Sequence, residues 1–596
     1  MLALTACGMA IGSSSSSSSS SAAASIASAA SRLPISFQSL SISDELSDAP
    51  LELLEGAIPP WLRGTLFRNG PGAFDVGDER LYHLFDGYAM MTKIKLGGDG
   101  VPRFSNRFVR SDAFEGLRNG EQLFAEFGTP RRRPTNPLEL VRSLFELIFA
   151  APTDNASVNT VRLADGTRLA LTETRRGSFV INGADLSTER RFEWTGAATG
   201  QLNTAHPMRT PDGGFVNVGT DVGSALCSYH VYRTRPATPE VREIIASIPC
   251  ARRAAPCWLH SFGLTATRAV VIEQPAPYDL PSMLGMAKAA YTCLQWRPGD
   301  GVRIHLVDLA TGAVETRCVA DPFFFFHIAN TFDAEGGGVS VDLALYDDPS
   351  IVEALRLQRL SAPAGAAVED LPCSRLTRLH IPADASAAIT RTPLDDVRAT
   401  GGFVDFPVTN PRVMADAAYQ FVWAIAADRP TRLANKLIKI ELRAEPPSSP
   451  SRAADGEGGR TGGAKTNCFA EPNCFPSEPV FVPRPGATSE DDGVLLCLLN
   501  DEVARTTSLV VLDAATMALH TTTGAPEAAT SSAVWLPWRL GTRVHARVAG
   551  SGGGGLCGRH HVTCVNVNVR QACEFFRFFS KLRRSSRMWL HPTVHD

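Results

Sequence analysis

The sequence predicts an antiparallel all-β protein of sandwich, barrel or propeller type. Two observations carry that expectation. From residue 49 to about residue 440, short apolar runs are separated by Gly, Asp, Asn and Pro, the punctuation of strands joined by tight turns. The order strand, turn, strand recurs along that whole span, as it does in closed or stacked β architectures. A third observation narrows the choice: no short signature returns at a fixed period, so no WD40- or kelch-like array is visible.

The segments follow in order. Residues 1–43 contain no Asp or Glu, include the serine run Ser13 to Ser21 and carry one basic residue, Arg32. An acid-poor, Ser-rich start fits an organelle transit peptide, with a plastid favoured because arginine is scarcer than a mitochondrial presequence wants. The bland alternative is a disordered, low-complexity leader. One β domain is expected over residues 49–549. Its strands are read in TRLALTETRRGSFVING, GGFVNVGT, RAVVIEQP, VRIHLVDLATGAVE and GGGVSVDLALYDD. One segment departs from the pattern. NPLELVRSLFELIFAAP (136–152) places Leu138, Val141, Leu144, Phe145 and Ile148 at helical spacing after the basic run Arg131, Arg132 and Arg133. Asn136 can cap this helix, with Pro137 at its first position. It either packs over the β core or dips into a membrane surface as a peripheral anchor. Residues 443–475, rich in Gly, Pro and Ser, read as a flexible surface insertion. Residues 550–596 form an atypical tail, basic and aromatic after SGGGGLCGRHH.

Bulk composition excludes several classes. A formal net charge of −3 over 596 residues gives no basic field for nucleic acid. The 13 cysteines are odd in number and contain no C-x-x-C pair, so neither a disulfide framework nor a zinc knuckle is indicated. Cys250 and Cys257 are read as reduced thiols. No apolar run approaches the roughly 18–20 residues of a membrane-spanning helix.

Chemistry enters with three histidines. DPFFFFHIANTF (321–332) drives four phenylalanines, Phe323 to Phe326, into His327. A continuous apolar run suits a strand buried on both faces, where an imidazole needs partners for its ring nitrogens. A core histidine bonded to a backbone carbonyl is the bland reading. His206, in QLNTAHPMRTPDGGFVNVGT, and His260, in PCWLHSFGLTATRAVVIE, also lie at strand ends. Three such imidazoles could converge on the axis of a closed β architecture, as ligands suited to Fe, Zn, Cu or Ni.

Over roughly residues 50 to 545 the sequence resembles the carotenoid cleavage oxygenases. The resemblance rests on GTLFRNGPG (64–72), YHLFDGYAMM (82–91), SNRFVRSDAF (105–114), the contexts AHP, WLHSF and FFHIAN of the three histidines, and PSEPVFVPRPGATSEDDGVLLCLL (476–499). It implies a seven-bladed β-propeller with a helical cap over the iron-bearing face. It also implies ferrous iron held on the axis by four histidines, with His206, His260 and His327 as three of them. The best counterpart of the fourth is His545, in WLPWRLGTRVHARVAG. The tail beyond it, with His560 and His561, resembles nothing in the family, so true divergence and an altered reading frame near 525–596 both stand open. Carboxylates that orient the ligand rings are implied at Glu173, in LALTETRRG, and Glu478, in PSEPVFV. A third is implied at Asp405, in GFVDFPVTNP, where the family commonly has Glu. The shorter side chain would then need a bridging water, or the position would be dispensable.

Four stretches, at 152–181, 257–275, 352–360 and 476–494, are most similar to the carlactone synthase branch of the family, which acts in the strigolactone pathway on a cis apocarotenal. The expected activity is therefore cleavage of a conjugated double bond of a carotenoid or apocarotenoid with O2, in the plastid stroma or on its thylakoid or envelope membranes. Three rivals remain: cleavage of a full-length carotenoid or isomerase chemistry, a carotenoid-binding protein without activity, and a propeller scaffold. The scaffold would have no use for the histidines and carboxylates.

Overall fold

The computed structural model describes residues 44–97, 100–130, 153–198, 200–222, 226–252, 255–279, 289–362, 370–442 and 467–524. The leader (1–43), the helix expected over 136–152, His545 and the tail (550–596) lie outside the described residues.

The strands form seven sheets of four to six strands, the blades of a β-propeller, plus a small hairpin of Asp75–Val76 and Glu79–Arg80. All the strand runs read from sequence are present, at Arg168–Leu171 and Ser178–Ile181, Phe215–Asp221, Arg268–Glu273, Val302–Asp308 and Val314–Val319, and Val339–Tyr346. Most neighbours within a blade are antiparallel and consecutive in sequence, with three outer strands as exceptions: Ala49–Pro50 joins Arg103–Phe108, Glu52–Gly56 joins Leu519–Gly524, and Thr195–Gly196 pairs parallel with Thr238–Pro249. One edge of each blade faces the axis. These edge strands are Gly64–Ala73, Asn159–Arg162, Leu202–Asn203 with Met208–Arg209, Gly263–Leu264, Phe324–Asp333, Val404–Val408, and Cys474–Pro476 with Val480–Pro483.

Alternation along the strands decides which neighbour each blade grips. In Arg268–Glu273 the side chains of Ala269 and Val271 pack with the third blade, through Val216, Val218 and Val231. Those of Val270 and Ile272 pack with the fifth, through Val339, Val341 and Leu343. Both faces of a middle strand are therefore apolar, which is why these strands read as unbroken hydrophobic runs. No residue signature repeats because the blades share a hydrogen-bonding pattern and not a set of side chains.

The ring closes by mixing the two ends of the described chain. Glu52–Gly56 adds to Leu519–Gly524 as the outer strand of the seventh blade, with Glu52 opposite Gly524. Of the insertion expected over 443–475, residues 443–466 lie outside the described residues, and the remainder includes two short strands. Asn467–Phe469 pairs with Lys436–Glu441, and Cys474–Pro476 pairs with Gly493–Asp501. Open blade edges offer these backbone groups partners that local composition does not reveal. Cys250 and Cys257 are buried, free thiols, as expected. No described helix is long and apolar enough to cross a membrane. Among the described residues, the covering over the histidines includes loops and short helices such as Leu84–Asp86, Ser350–Ala354 and Leu357–Leu360.

Candidate metal centre

Irregular inner strands deliver the three histidines. His206 lies in the break between Leu202–Asn203 and Met208–Arg209, and His260 lies three residues before Gly263–Leu264. His327 sits inside Phe324–Asp333, where pairing with Val339–Tyr346 slips between Phe325 and Ile328. Such a bulge re-aims a side chain that regular pleating would send into the blade. The phenylalanines before it divide by parity. Phe323 and Phe325 fill the core between the fourth and fifth blades, while Phe324 and Phe326 face the cluster beneath the covering loops.

All three histidines are buried, and their ligand atoms lie within 4.8 Å of one another. His206 Nε2 and His260 Nε2 face each other at 3.1 Å. The ring centroid of His327 lies 5.7 Å from that of His206 and 5.2 Å from that of His260. His260 turns Nδ1 to Glu173 Oε1 at 2.5 Å, and His327 turns Nδ1 to Asp405 Oδ1 at 2.7 Å. With Nδ1 engaged, Nε2 is the nitrogen each ring offers. That is how metal-binding imidazoles are held. An all-imidazole set suits Fe, Zn, Cu or Ni and excludes a hard-cation site, so the residues fit a transition metal.

The bland reading fails for His327, whose Nδ1 partner is a carboxylate. It describes His83 instead. That ring is fully buried, its Nε2 lies 2.7 Å from the Val352 carbonyl oxygen, and its Nδ1 accepts from Phe85 N. Burial lowers His83 to about 4, so it stays neutral.

Asp405 reaches His327 directly. The bridging water expected for a side chain shorter than Glu is not needed, because Val404–Val408 carries its own bulge after Asp405. There Phe406 adopts a left-handed backbone (φ 52°), its N–H donates to Asp405 Oδ1 at 2.7 Å, and its ring lies 4.3 Å from that of His327. The other oxygens of both carboxylates are also held. Trp258 Nε1 donates to Glu173 Oε2 at 2.8 Å, and the Tyr346 hydroxyl donates to Asp405 Oδ2 at 2.5 Å. Burial pushes Glu173 up to about 8, against the pull of the Trp258 N–H and the His327 ring. Burial, with Asp405 adding to it, holds the Tyr346 phenol well above its ordinary value, so it remains a donor.

A cavity opens onto His327, Asp405 and Glu478. Its walls are largely apolar and include Leu84, Phe85, Phe326, Ile351, Phe403 and Leu433. Glu478 sits between the two inner strands of the seventh blade, and its carbonyl accepts from buried Arg68 at 3.0 Å.

The family described as retinal pigment epithelial membrane protein matches residues 40–529. The chain belongs to the carotenoid cleavage oxygenase family. Within this family it is 33% identical over 485 residues to carotenoid cleavage dioxygenase 8 homolog A, chloroplastic, of Oryza sativa subsp. japonica, covering 80% of this chain and 83% of the relative. It is 29% identical to the chloroplastic carotenoid cleavage dioxygenase 8 of Arabidopsis thaliana, covering 75% and 76%. Among solved structures, cobalt-substituted apocarotenoid oxygenase of Synechocystis superposes with a TM-score of 0.64 at 25% identity, covering 82% of this oxygenase and 95% of the other chain.

Of the site residues expected from sequence, His206, His260, His327, Glu173 and Asp405 come together. Glu478 lines the same cavity, and His545 lies outside the described residues. Sequence reasoning missed Trp258, Tyr346 and Phe406. Trp258 carried a usable signal, since in extended backbone it shares a side with His260 two residues on. Tyr346 carried none, because only the blade register brings it to Asp405.

Proposed function

We propose that the chain is a non-haem iron(II) dioxygenase that cleaves one conjugated double bond of a carotenoid or apocarotenoid with O2. The finer reading is carlactone formation from a cis apocarotenal, supported by the dioxygenase 8 relatives from two plants. The observation that carries the proposal is the convergence of three buried imidazoles, of which His327 lines an apolar cavity.

Ferrous iron, when bound, would supply activation of dioxygen. His206, His260 and His327 would hold it, with His545 as the proposed fourth ligand. Glu173 and Asp405 fix two of the rings through Nδ1, and Glu478 is proposed to do the same for His545. Little acid–base work is required, so no catalytic dyad is assigned. The aromatic and aliphatic walls strip water from a polyene and fix its depth. Depth in turn selects the bond that breaks. Residues 1–43 are proposed to direct the chain to a plastid, in keeping with the chloroplastic names of the plant relatives. Residues 136–152 are proposed to rest on the membrane that stores the substrate.

The test is metal content followed by product mass. The expected result is about one iron per chain, lost in His545→Ala, with two carbonyl fragments from an apocarotenal. Iron that survives His545→Ala moves the fourth ligand elsewhere. A chain that takes up no iron after ferrous reconstitution refutes the oxygenase reading.

A further inference from the structure

The same arrangement occurs twice beside the histidines. Each orienting carboxylate gives one oxygen to a ring Nδ1 and the other to an aromatic donor. Glu173 is shared by His260 and Trp258, and Asp405 by His327 and Tyr346. The two sets come from different blades and use different residue types, so the likeness lies in the geometry.

Tyr346 has little freedom to place its hydroxyl anywhere else. It ends Val339–Tyr346, stands opposite Phe324 in the blade register and is 1% exposed. Its ring centroid lies 6.4 Å from that of Phe324, 6.1 Å from Phe326 and 6.2 Å from Phe403. Three aromatic neighbours thus fix the phenol ring, and the ring fixes the O–H. Asp405 has only two side-chain torsions, and its Oδ1 already serves both the His327 ring and the Phe406 N–H. If Oδ2 were free to turn, the carboxylate plane would rotate and carry Oδ1 away from Nδ1.

We infer that Tyr346 is a positioning residue, whose hydroxyl holds Asp405 in the orientation that locks the His327 ring. The inference rests on the reading of His206, His260 and His327 as a metal site. Tyr346 also lines the cavity, so a mere wall residue is the competing role. A wall residue would alter the KM for substrate and leave metal affinity in the absence of substrate untouched.

The full-length chain, stripped of metal, is titrated with Co2+ against a chromophoric chelator while the visible absorption of the bound ion is followed. Wild type is compared with Tyr346→Phe, Asp405→Asn and the double variant. Tyr419→Phe is the control, because Tyr419 is also buried and also donates to a carboxylate, that of Asp342, which is not bonded to the histidines. Tyr346→Phe is expected to raise the Kd about 10- to 100-fold and to shift the Co2+ absorption. The double variant is expected to bind no more weakly than Asp405→Asn, the non-additivity that marks action through one group. Tyr419→Phe is expected to bind as wild type does, with any loss confined to its melting temperature. A wild-type Kd in Tyr346→Phe, or additive losses in the double variant, overturns the inference while leaving the metal site standing. A wild-type chain that binds no Co2+ overturns the metal site itself, and this inference with it.

Discussion

Asp86 offers a direct check on how strongly burial controls this propeller. It closes the short helix Leu84–Asp86 beside the cavity and has no exposed surface. Its carboxyl accepts from Gly128 N at 2.8 Å and from the Thr129 hydroxyl at 2.5 Å. Those bonds do not offset burial, which raises it from 3.8 to about 7. Between those values the folded chain holds a proton that the unfolded chain has released. Stability is therefore fully present below pH 3.8 and is lost as pH rises toward 7. A rise from 3.8 to about 7 corresponds to about 4 kcal/mol in full, and more than half of it falls between pH 5 and pH 8. Asp86→Asn keeps an acceptor for Gly128 N and removes the titration. Urea unfolding of wild type and variant at the two pH values gives the difference, and the variant should gain roughly 2–3 kcal/mol on wild type as pH rises. Equal pH slopes for the two proteins would refute the reasoning, because Asp86 would then be ionising in the fold as it does in water.

Three further outcomes are expected. Glu173→Gln should weaken metal binding about 10- to 100-fold, because it leaves one acceptor oxygen for two donors, the His260 ring and the Trp258 N–H; metal per chain after dialysis measures it. Phe326→Ala should cost about 3–5 kcal/mol in denaturant unfolding, since Phe326 is 2% exposed and packs against Trp258, His260 and Tyr346. Gly128→Ala would put a methyl group 2.0 Å from His83 Cβ. A loss of about 1–3 kcal/mol, read from the melting temperature, is expected as the covering loops shift.

Much of this was legible in the sequence, and the reason differs by residue. Strands such as Arg268–Glu273 announced themselves because both of their faces are buried, so local composition and tertiary role agree. His327 was legible because an imidazole ending four phenylalanines demands a partner, although nothing local says which. The seven-fold count was carried by family resemblance alone, since blade geometry imposes no repeating side chains. Tyr346 and Phe406 were invisible for another reason. One is placed by the register of Phe324 against Tyr346 and the other by a bulge with a left-handed residue beside the pair Asp405 and Ile425, and only the fold then brings the Tyr346 hydroxyl to Asp405. The strands at 467–469 and 474–476 were hidden by turn-forming neighbours, and open blade edges recruited them all the same.

The seam of the ring has a consequence in time. The hydroxyl of Thr521 reaches back to the carbonyl of Glu55, 466 positions earlier. At roughly 5–20 residues per second, Glu52–Gly56 leaves the ribosome about 20 to 90 s before its partner strand exists. Through that interval Leu53 and Leu54, still 46% and 56% exposed in the finished ring, sit on an unpaired strand edge. An edge of that kind invites pairing with a neighbouring chain. The clasp that completes the propeller is thus also the segment with most need of shelter while the rest is being made.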